Sequence, residues 1–79
     1  MVRVVFLGKL ADMAGAPHRD LAGSLDWHGL LDALGNELAE AAQDERTKVA
    51  VDGEVLAEKA SLHAKDGSEI ALLPPVSGG

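Results

Sequence analysis

Apolar residues follow strand-like alternation in several segments of the chain and helical spacing in one. Residues 2–7 are almost entirely apolar, rich in β-branched side chains, and end at Gly8, which predicts a strand with apolar side chains on both faces. Residues 9–17 hold two glycine or proline breakers and predict a turn region. Residues 18–25 predict a weaker second strand that returns antiparallel to the first.

An amphipathic helix is predicted after this hairpin. Asp26 stands where an N-cap residue belongs, because its carboxylate can accept a hydrogen bond from the free amide groups of the first turn. The apolar stripe that follows recurs at i, i+3, i+4, i+7, i+11 and i+14 and consists of Trp27, Leu30, Leu31, Leu34, Leu38 and Ala41. Gly29 and Gly35 each weaken such a helix by up to about 1 kcal/mol relative to alanine.

The second half of the chain predicts further strands, which are residues 47–51, 54–56 and 68–73. Asp52-Gly53 is a tight-turn dipeptide that joins the first two of them. Residues 57–65 are expected to be irregular, with Leu62 in the core. The order of elements, ββαββ-β with a single main helix, predicts an α+β roll in which a mixed sheet of about five strands is covered on one face. The first and last strands are expected to be central neighbours.

Length and composition limit the class of protein. Seventy-nine residues suffice for one small domain, expected over residues 1–73, followed by a tail over residues 74–79. The net charge is −6 and the seven basic residues form no cluster, which disfavours nucleic-acid binding. The absence of cysteine removes disulfides, thiolate metal sites and a cysteine nucleophile. No apolar run approaches the ~20 residues of a membrane span, so we expect a cytoplasmic protein.

No familiar catalytic or metal-binding set follows from the spacing of residues. His18, His28 and His63 lie in separate segments without a second ligand at metal-binding spacing, so we interpret them as surface histidines and predict no metal site. The serines lack a nucleophile-elbow context, and no glycine-rich loop joins a strand to a helix in phosphate-binding form. Trp27 could stack on a ligand, but its place on the apolar stripe favours core packing.

The tail carries the one group suited to delivery to another protein. Pro74 and Pro75 lack backbone donors and cannot continue a sheet, so residues 74–79 are expected to form a flexible, extended arm of at most about 20 Å. Gly78 and Gly79 have no side chains and could enter a narrow channel. The reactive group would be the carboxylate of Gly79, and a frayed tail without a role is the alternative.

This ending resembles that of a known family. Residues 72–79, Leu-Leu-Pro-Pro-Val-Ser-Gly-Gly, preceded by residues 66–71, are similar to the C-terminal signature of molybdopterin synthase small subunits, which are ubiquitin-like sulfur carriers of the β-grasp fold. The likeness extends through the first strand, the capped helix and the Asp-Gly turn. It departs at Asp52, where the family more often has asparagine, and at Leu72 and Leu73, where some members have phenylalanine.

The resemblance implies a chemistry for the tail. An adenylating enzyme similar to ubiquitin-activating enzymes would use ATP and Mg²⁺ to make the acyl-adenylate of Gly79, and sulfur from a persulfide donor protein would replace AMP to give a thiocarboxylate. The segment inserted into the large synthase subunit would be Pro74, Pro75, Val76, Ser77 and Gly78. There the sulfur would attack cyclic pyranopterin monophosphate to build the dithiolene of molybdopterin. The carrier would bind no cofactor and supply no catalytic acid or base, since the active site of the expected heterotetramer would lie mainly in the large subunit.

The helix-free face of the sheet is the expected docking surface. If Val4 and Phe6 face the helix, alternation turns Val5 and Leu7 outward, and the last strand likewise turns Ala71 and Leu73 outward. An apolar patch on an uncovered sheet indicates a partner site, and a mildly apolar face without a partner is the alternative.

Three other functions compete with the molybdopterin reading. Another β-grasp sulfur carrier could feed thiazole synthesis or tRNA thiolation through the same thiocarboxylate, but carriers for thiazole typically lack the proline pair seen at Pro74 and Pro75. A ubiquitin-like modifier would instead join Gly79 to target lysines through an isopeptide bond. A plain interaction module would have an inert tail.

Overall fold

The structure is a computed structural model that describes residues 1–75. Its strands are β1 Val2–Phe6, β2 His18–Leu21, β3 Leu25–Asp26, β4 Lys48–Val51, β5 Glu54–Val55, β6 His63–Ala64 and β7 Glu69–Leu73. Its helices are α1 Lys9–Ala14, α2 Trp27–Leu34 and α3 Asn36–Gln43, with one 3₁₀ turn at Lys59–Ser61. No helix in this part of the chain combines the length and the apolar character that crossing a membrane needs.

Five of the strands form one mixed sheet in the order β2-β1-β7-β4-β5, and β3 pairs with β6 in a separate two-stranded sheet. β1 and β7 lie at the centre and run parallel, while β2, β4 and β5 pair antiparallel with their neighbours. The prediction that the first and last strands are central neighbours is confirmed. So is the β-grasp arrangement, an α+β roll with its helices on one face of a mixed sheet.

The core lies between the sheet and the helices. Every second side chain of the two central strands is buried there, as alternation predicts: Val2, Val4, Phe6, Ile70 and Leu72 are each at most 2% exposed. The helices contribute Leu10, Leu30, Leu34, Leu38 and Ala42 to the same cluster, and Leu62 fills its place in the core as expected. Trp27 packs against this cluster while remaining partly exposed, which fits the core interpretation.

The predicted turn over residues 9–17 is wrong, because its first part is the helix α1. This helix has six residues, of which only Leu10 is buried, so the segment is too short to show a helical repeat of apolar positions. Gly8 and Gly15 bound it at its two ends, both with positive φ. The glycines that read as turn punctuation in the sequence are therefore helix boundaries.

The single helix predicted after Asp26 is two helices. Its start is confirmed, since the Asp26 carboxylate accepts a hydrogen bond of 2.8 Å from the amide of Gly29. The break falls at Gly35, which has a φ of 85° and ends α2 as α3 begins. Glycine adopts this conformation more readily than any other residue. The helix that Gly35 was expected only to weaken is therefore interrupted there.

The irregular segment predicted over residues 57–65 contains the 3₁₀ turn and β6. Its Lys59 is partly buried at the edge of the core. The Nζ atom of Lys59 donates hydrogen bonds to the carbonyls of Ala42, Asp44 and Thr47 at 2.6–3.1 Å. It also lies 5.9 Å from the centre of the Trp27 ring. Partial burial lowers the pKa of this ammonium. Lys59 thus ties the end of α3 to the start of β4, a contact that sequence spacing could not reveal.

Candidate functional site

The carboxyl ends of β1 and β7 lie at the same edge of the sheet because these two strands are parallel neighbours. Their register places Val5 beside Ala71, and the amide of Leu7 still donates to the carbonyl of Leu72 at 3.3 Å. Chain segments that leave these strands therefore start side by side. One continues into Gly8 and α1, and the other continues into Pro74 and the tail.

The four residues predicted to face away from the helices are brought together on one face of the sheet. Val5, Ala71 and Leu73 are partly exposed and Leu7 is 41% exposed, while the residues between them in β1 and β7 are buried in the core. We call these four side chains the outer patch. Its members come from the two central strands, so it lies at the middle of the sheet and reaches the edge from which the tail leaves.

Two further residues extend the outer patch, and sequence reasoning missed them. Ala50 of β4 pairs with Ala71 on one side and with Val55 of β5 on the other. Val55 is 60% exposed, whereas Ala50 is 7% exposed and is therefore buried between its neighbours. Alternation along residues 47–51 could have turned Ala50 outward, but only the strand order shows that β4 lies next to β7 and β5 next to β4. The apolar row therefore runs from Val5 through Ala71 and Ala50 to Val55.

The end of the outer face away from the tail is charged. Arg3 is paired with Glu69 across β7 and with Asp20 across β2, and its Nε atom donates to the Asp20 carboxylate at 3.0 Å. This hydrogen bond is the largest cause of the lowered pKa of Asp20 and of the raised pKa of Arg3. The outer face thus changes from an ion pair at one end to leucines at the tail end.

A groove of about 650 Å³ lies beside the first residues of the tail and is lined by Glu45, Arg46, Lys48, Leu73, Pro74 and Pro75. Arg46 is held by Asp44, with contacts of 3.0 Å and 3.2 Å to the two carboxylate oxygens. These bonds and the backbone amide of Arg46 lower the pKa of Asp44 to about 2. Lys48 takes part in no salt bridge among residues 1–75. The groove therefore has an apolar wall and a charged rim of both signs.

Gly8 and Pro74 are in contact where the two central strands end. A Cβ atom built on Gly8 would lie 3.2 Å from Cγ of Pro74, and Gly8 has a φ of 55°. A side chain at this corner would require the proline to give way by a few tenths of an ångström. The sequence identified Gly8 as the end of a strand but gave no sign of this contact, because Pro74 is 66 positions away.

The remaining residues predicted for the site fall into a described and an undescribed group. Pro74 and Pro75 follow β7 and line the groove, whereas Val76, Ser77, Gly78 and Gly79 lie outside the described residues. Within residues 1–75, histidine, aspartate and glutamate side chains form no group of three or more that could hold a metal ion.

Comparison with known proteins identifies relatives along the whole chain. The model of the ThiS family matches residues 4–79. A search of curated protein sequences found no significant match.

Several solved structures share the fold. Small archaeal modifier protein 1 from Methanosarcina acetivorans is 26% identical with a TM-score of 0.74, over 99% of this chain and 95% of that one. The protein of the same name from Haloferax volcanii is 30% identical with a TM-score of 0.69, over 99% and 98%. A protein–protein complex of subunits 1 and 2 of molybdopterin-converting factor from Helicobacter pylori contains a chain that is 25% identical with a TM-score of 0.64, over 99% and 97%.

Proposed function

Because the chain belongs to the ThiS family of ubiquitin-like sulfur carriers, we propose that it is the sulfur-carrying small subunit of a molybdopterin synthase. The observation that carries the proposal is the outer patch, which runs without interruption to the edge where Pro74 leaves the sheet. A partner that covers the patch is then positioned to receive the tail. The family match, which runs to Gly79, supports the tail as the working end.

The reaction begins with activation, because a carboxylate at neutral pH is a poor electrophile. The Gly79 carboxylate attacks the α-phosphate of ATP on a separate Mg²⁺-dependent adenylating enzyme, and pyrophosphate leaves. The terminal sulfur of a persulfide then attacks the acyl carbon and displaces AMP. A thiol cleaves the resulting acyl disulfide, which releases the Gly79 thiocarboxylate and leaves a disulfide on the donor. ATP and Mg²⁺ are thus used by the enzyme and are not bound by the carrier alone.

Sulfur transfer takes place on the large subunit. The anionic sulfur is the nucleophile and attacks an oxygen-bearing carbon of cyclic pyranopterin monophosphate, where a carbon–oxygen bond breaks as the carbon–sulfur bond forms and the oxygen leaves. Water then breaks the bond between the acyl carbon and sulfur. Sulfur stays on the pterin and Gly79 returns as a carboxylate, so two loaded carriers supply one dithiolene. The carrier contributes delivery, and the acid–base and phosphate-binding groups belong to the large subunit. Since ATP is needed, the proposed compartment is the cytoplasm.

The proposed assembly is a heterotetramer with two carriers on a dimer of large subunits. Support comes from the Helicobacter pylori relative, whose structure is a complex of subunits 1 and 2 of molybdopterin-converting factor. The outer patch has the character of an interface core, apolar at its centre and charged at its rim around Arg3. The docking surface proposed here is therefore Val5, Leu7, Ala71 and Leu73, with the exposed Val55 near them on the same face.

A second candidate function is protein modification. It is favoured by the two similar structures described as small archaeal modifier proteins, at 26% and 30% identity. In this function the activated Gly79 carbonyl is attacked by the ε-amine of a target lysine, which forms an isopeptide bond and releases the activating group. Protein modification is distinguished from sulfur delivery by the appearance, in a lysate supplied with ATP, of target proteins whose mass is increased by the attached chain. Sulfur delivery to thiazole synthesis or tRNA thiolation shares the thiocarboxylate and differs only in the acceptor.

The intact mass of the protein tests the shared first step. The carrier is incubated with ATP, Mg²⁺, an adenylating enzyme and sulfide, beside a variant that lacks Gly79. We expect a mass increase equal to one oxygen replaced by sulfur in the full chain and no change in the deletion. No increase, with the enzyme active on a known carrier, would overturn the proposal. Formation of molybdopterin after adding a large subunit and cyclic pyranopterin monophosphate then separates this function from the alternatives.

A further inference from the structure

Charged side chains are divided between the two ends of the outer face of the sheet. Residues directly opposite each other on neighbouring strands point to the same face. The registers therefore place Arg3 between Asp20 and Glu69 at the end away from the tail, where two carboxylates and one guanidinium leave a net negative charge. At the end from which the tail leaves, Lys48 lies opposite Leu73.

Lys48 differs from Arg3 in having no hydrogen-bonded carboxylate. The Nε atom of Arg3 donates to Asp20 at 3.0 Å, whereas Lys48 is exposed and takes part in no salt bridge within the described chain. Its cross-strand partner Leu73 is apolar. Water therefore solvates the ammonium group of Lys48 in the free protein.

Lys48 also lines the groove beside the first residues of the tail, where Leu73 and the two prolines form the apolar wall. The groove holds two further charged residues, Glu45 and Arg46. Arg46 is already paired, since its Nη2 atom lies 3.0 Å from the carboxylate of Asp44. Glu45 is therefore the internal carboxylate of this groove that competes for Lys48.

A partner that covers the tail end of the outer patch also covers Lys48. Neighbouring strands lie only about 4.8 Å apart, so a surface in contact with Leu73 reaches the side chain opposite it. Covering an ammonium group removes water from it, which is unfavourable unless the covering surface supplies an opposite charge. Docking at this end of the face therefore calls for an acidic group on the partner.

We propose that Lys48 pairs with an aspartate or glutamate of the large subunit, beside the place where the tail leaves the sheet. The inference rests on the proposed function, in which the large subunit covers the outer patch. The pair also gives docking a direction that the apolar side chains alone do not give. A carrier turned end for end would bring Asp20 and Glu69 toward the same carboxylate, and like charges at an interface disfavour that arrangement.

The test is a calorimetric titration of the large subunit with carriers substituted at Lys48. Lys48→Met keeps an unbranched stem and removes the charge, so we expect Kd to rise at least about tenfold as the partner's carboxylate loses its counter-charge. Lys48→Glu should raise Kd about a hundredfold because it places two carboxylates together. Lys48→Arg keeps the charge and should restore most of the affinity. Lys48 is exposed, so each variant should fold, and its unfolding temperature checks this.

Two controls separate a local pair from other effects of charge. Lys65→Glu makes the same change in net charge on an exposed residue just before β7, at the end away from the tail, and should leave Kd within about twofold of wild type. Glu45→Gln should also leave it within that range. A wild-type Kd for Lys48→Met, an equal loss in Lys65→Glu, or a loss in Glu45→Gln equal to that in Lys48→Met would overturn the proposal.

Carbodiimide cross-linking of the complex identifies the partner of Lys48 directly, because the reagent joins an amine to an adjacent carboxylate as an amide with loss of water. We expect mass spectrometry of the digested complex to show Lys48 joined to an acidic residue of the large subunit. Lys48 joined only to Glu45 would overturn the proposal. If the wild-type carrier does not bind the large subunit, the proposed function fails and this inference fails with it. Binding that is insensitive to Lys48 overturns the inference alone.

Discussion

The substitution Leu7→Asp should weaken binding to the large subunit while leaving the stability of the fold almost unchanged. The side chain lies in the outer patch, follows the last residue of β1, and is already 41% exposed. The backbone amide of Leu7 donates a hydrogen bond to the carbonyl of Leu72, and this hydrogen bond does not depend on the side chain. We therefore expect a small change in the free energy of unfolding, within the ~0.5 kcal/mol typical of surface substitutions.

The effect on binding to the large subunit should be much greater. Complete burial of a leucine contributes about 1.5–3 kcal/mol, so covering the exposed two fifths of Leu7 contributes about 1 kcal/mol. Burial of a carboxylate without a partner in the same place costs about 2 kcal/mol or more. The sum of about 3 kcal/mol corresponds to a rise in Kd of about a hundredfold.

The assay is a calorimetric titration of the large subunit with each folded carrier. Met13→Asp is the control, because Met13 is also 41% exposed but lies on α1 and not on the sheet. We expect wild-type affinity for Met13→Asp. A Kd for Leu7→Asp within about threefold of wild type, or an equal loss in the control, would refute the outer patch as the docking surface.

Two predictions concern stability. Lys59→Met removes the donor shared by the carbonyls of Ala42, Asp44 and Thr47 and should lower the free energy of unfolding in urea by about 2 kcal/mol, whereas the exposed Lys65→Met should change it little. Asp44 has its pKa lowered from 3.8 to about 2, so its contribution is complete above pH 3.8 and is lost as the pH falls through about 2. Asp44→Asn should therefore flatten the decline of the urea midpoint across that interval, and an unchanged decline would contradict the assignment.

The sequence predicted the parts of the fold that depend on repeated patterns. Alternation along β1 and β7 identified their buried and outer side chains, and the Asp26 cap marked the start of α2. It did not predict α1, because one buried leucine in six residues has no period. Nor did it predict the break at Gly35. One glycine destabilises a helix by only about 1 kcal/mol, so its presence does not show whether the helix continues through it or ends there.

The contacts of Lys59 and Gly8 were out of reach for a different reason. Each contact joins segments that are distant in sequence. The local sequence around Lys59 and Gly8 does not show that either residue makes a long-range contact. Their chemistry becomes visible only when strand order brings the segments together. Pattern reasoning thus predicted which residues lie on the outer face but missed that Gly8 and Pro74 lie close together where β1 and β7 end.

The parallel pairing of β1 and β7 gives the candidate site its direction. An antiparallel pair would have placed the end of β1 and the start of the tail at opposite edges of the sheet, whereas the parallel pair puts Leu7, Gly8 and Pro74 together. The ion pair of Arg3 with Asp20 lies at the other end of the same face. In the proposed complex, a partner with an apolar centre gains most by covering the end of this face at which the chain leaves β7, which would place it beside the start of the tail.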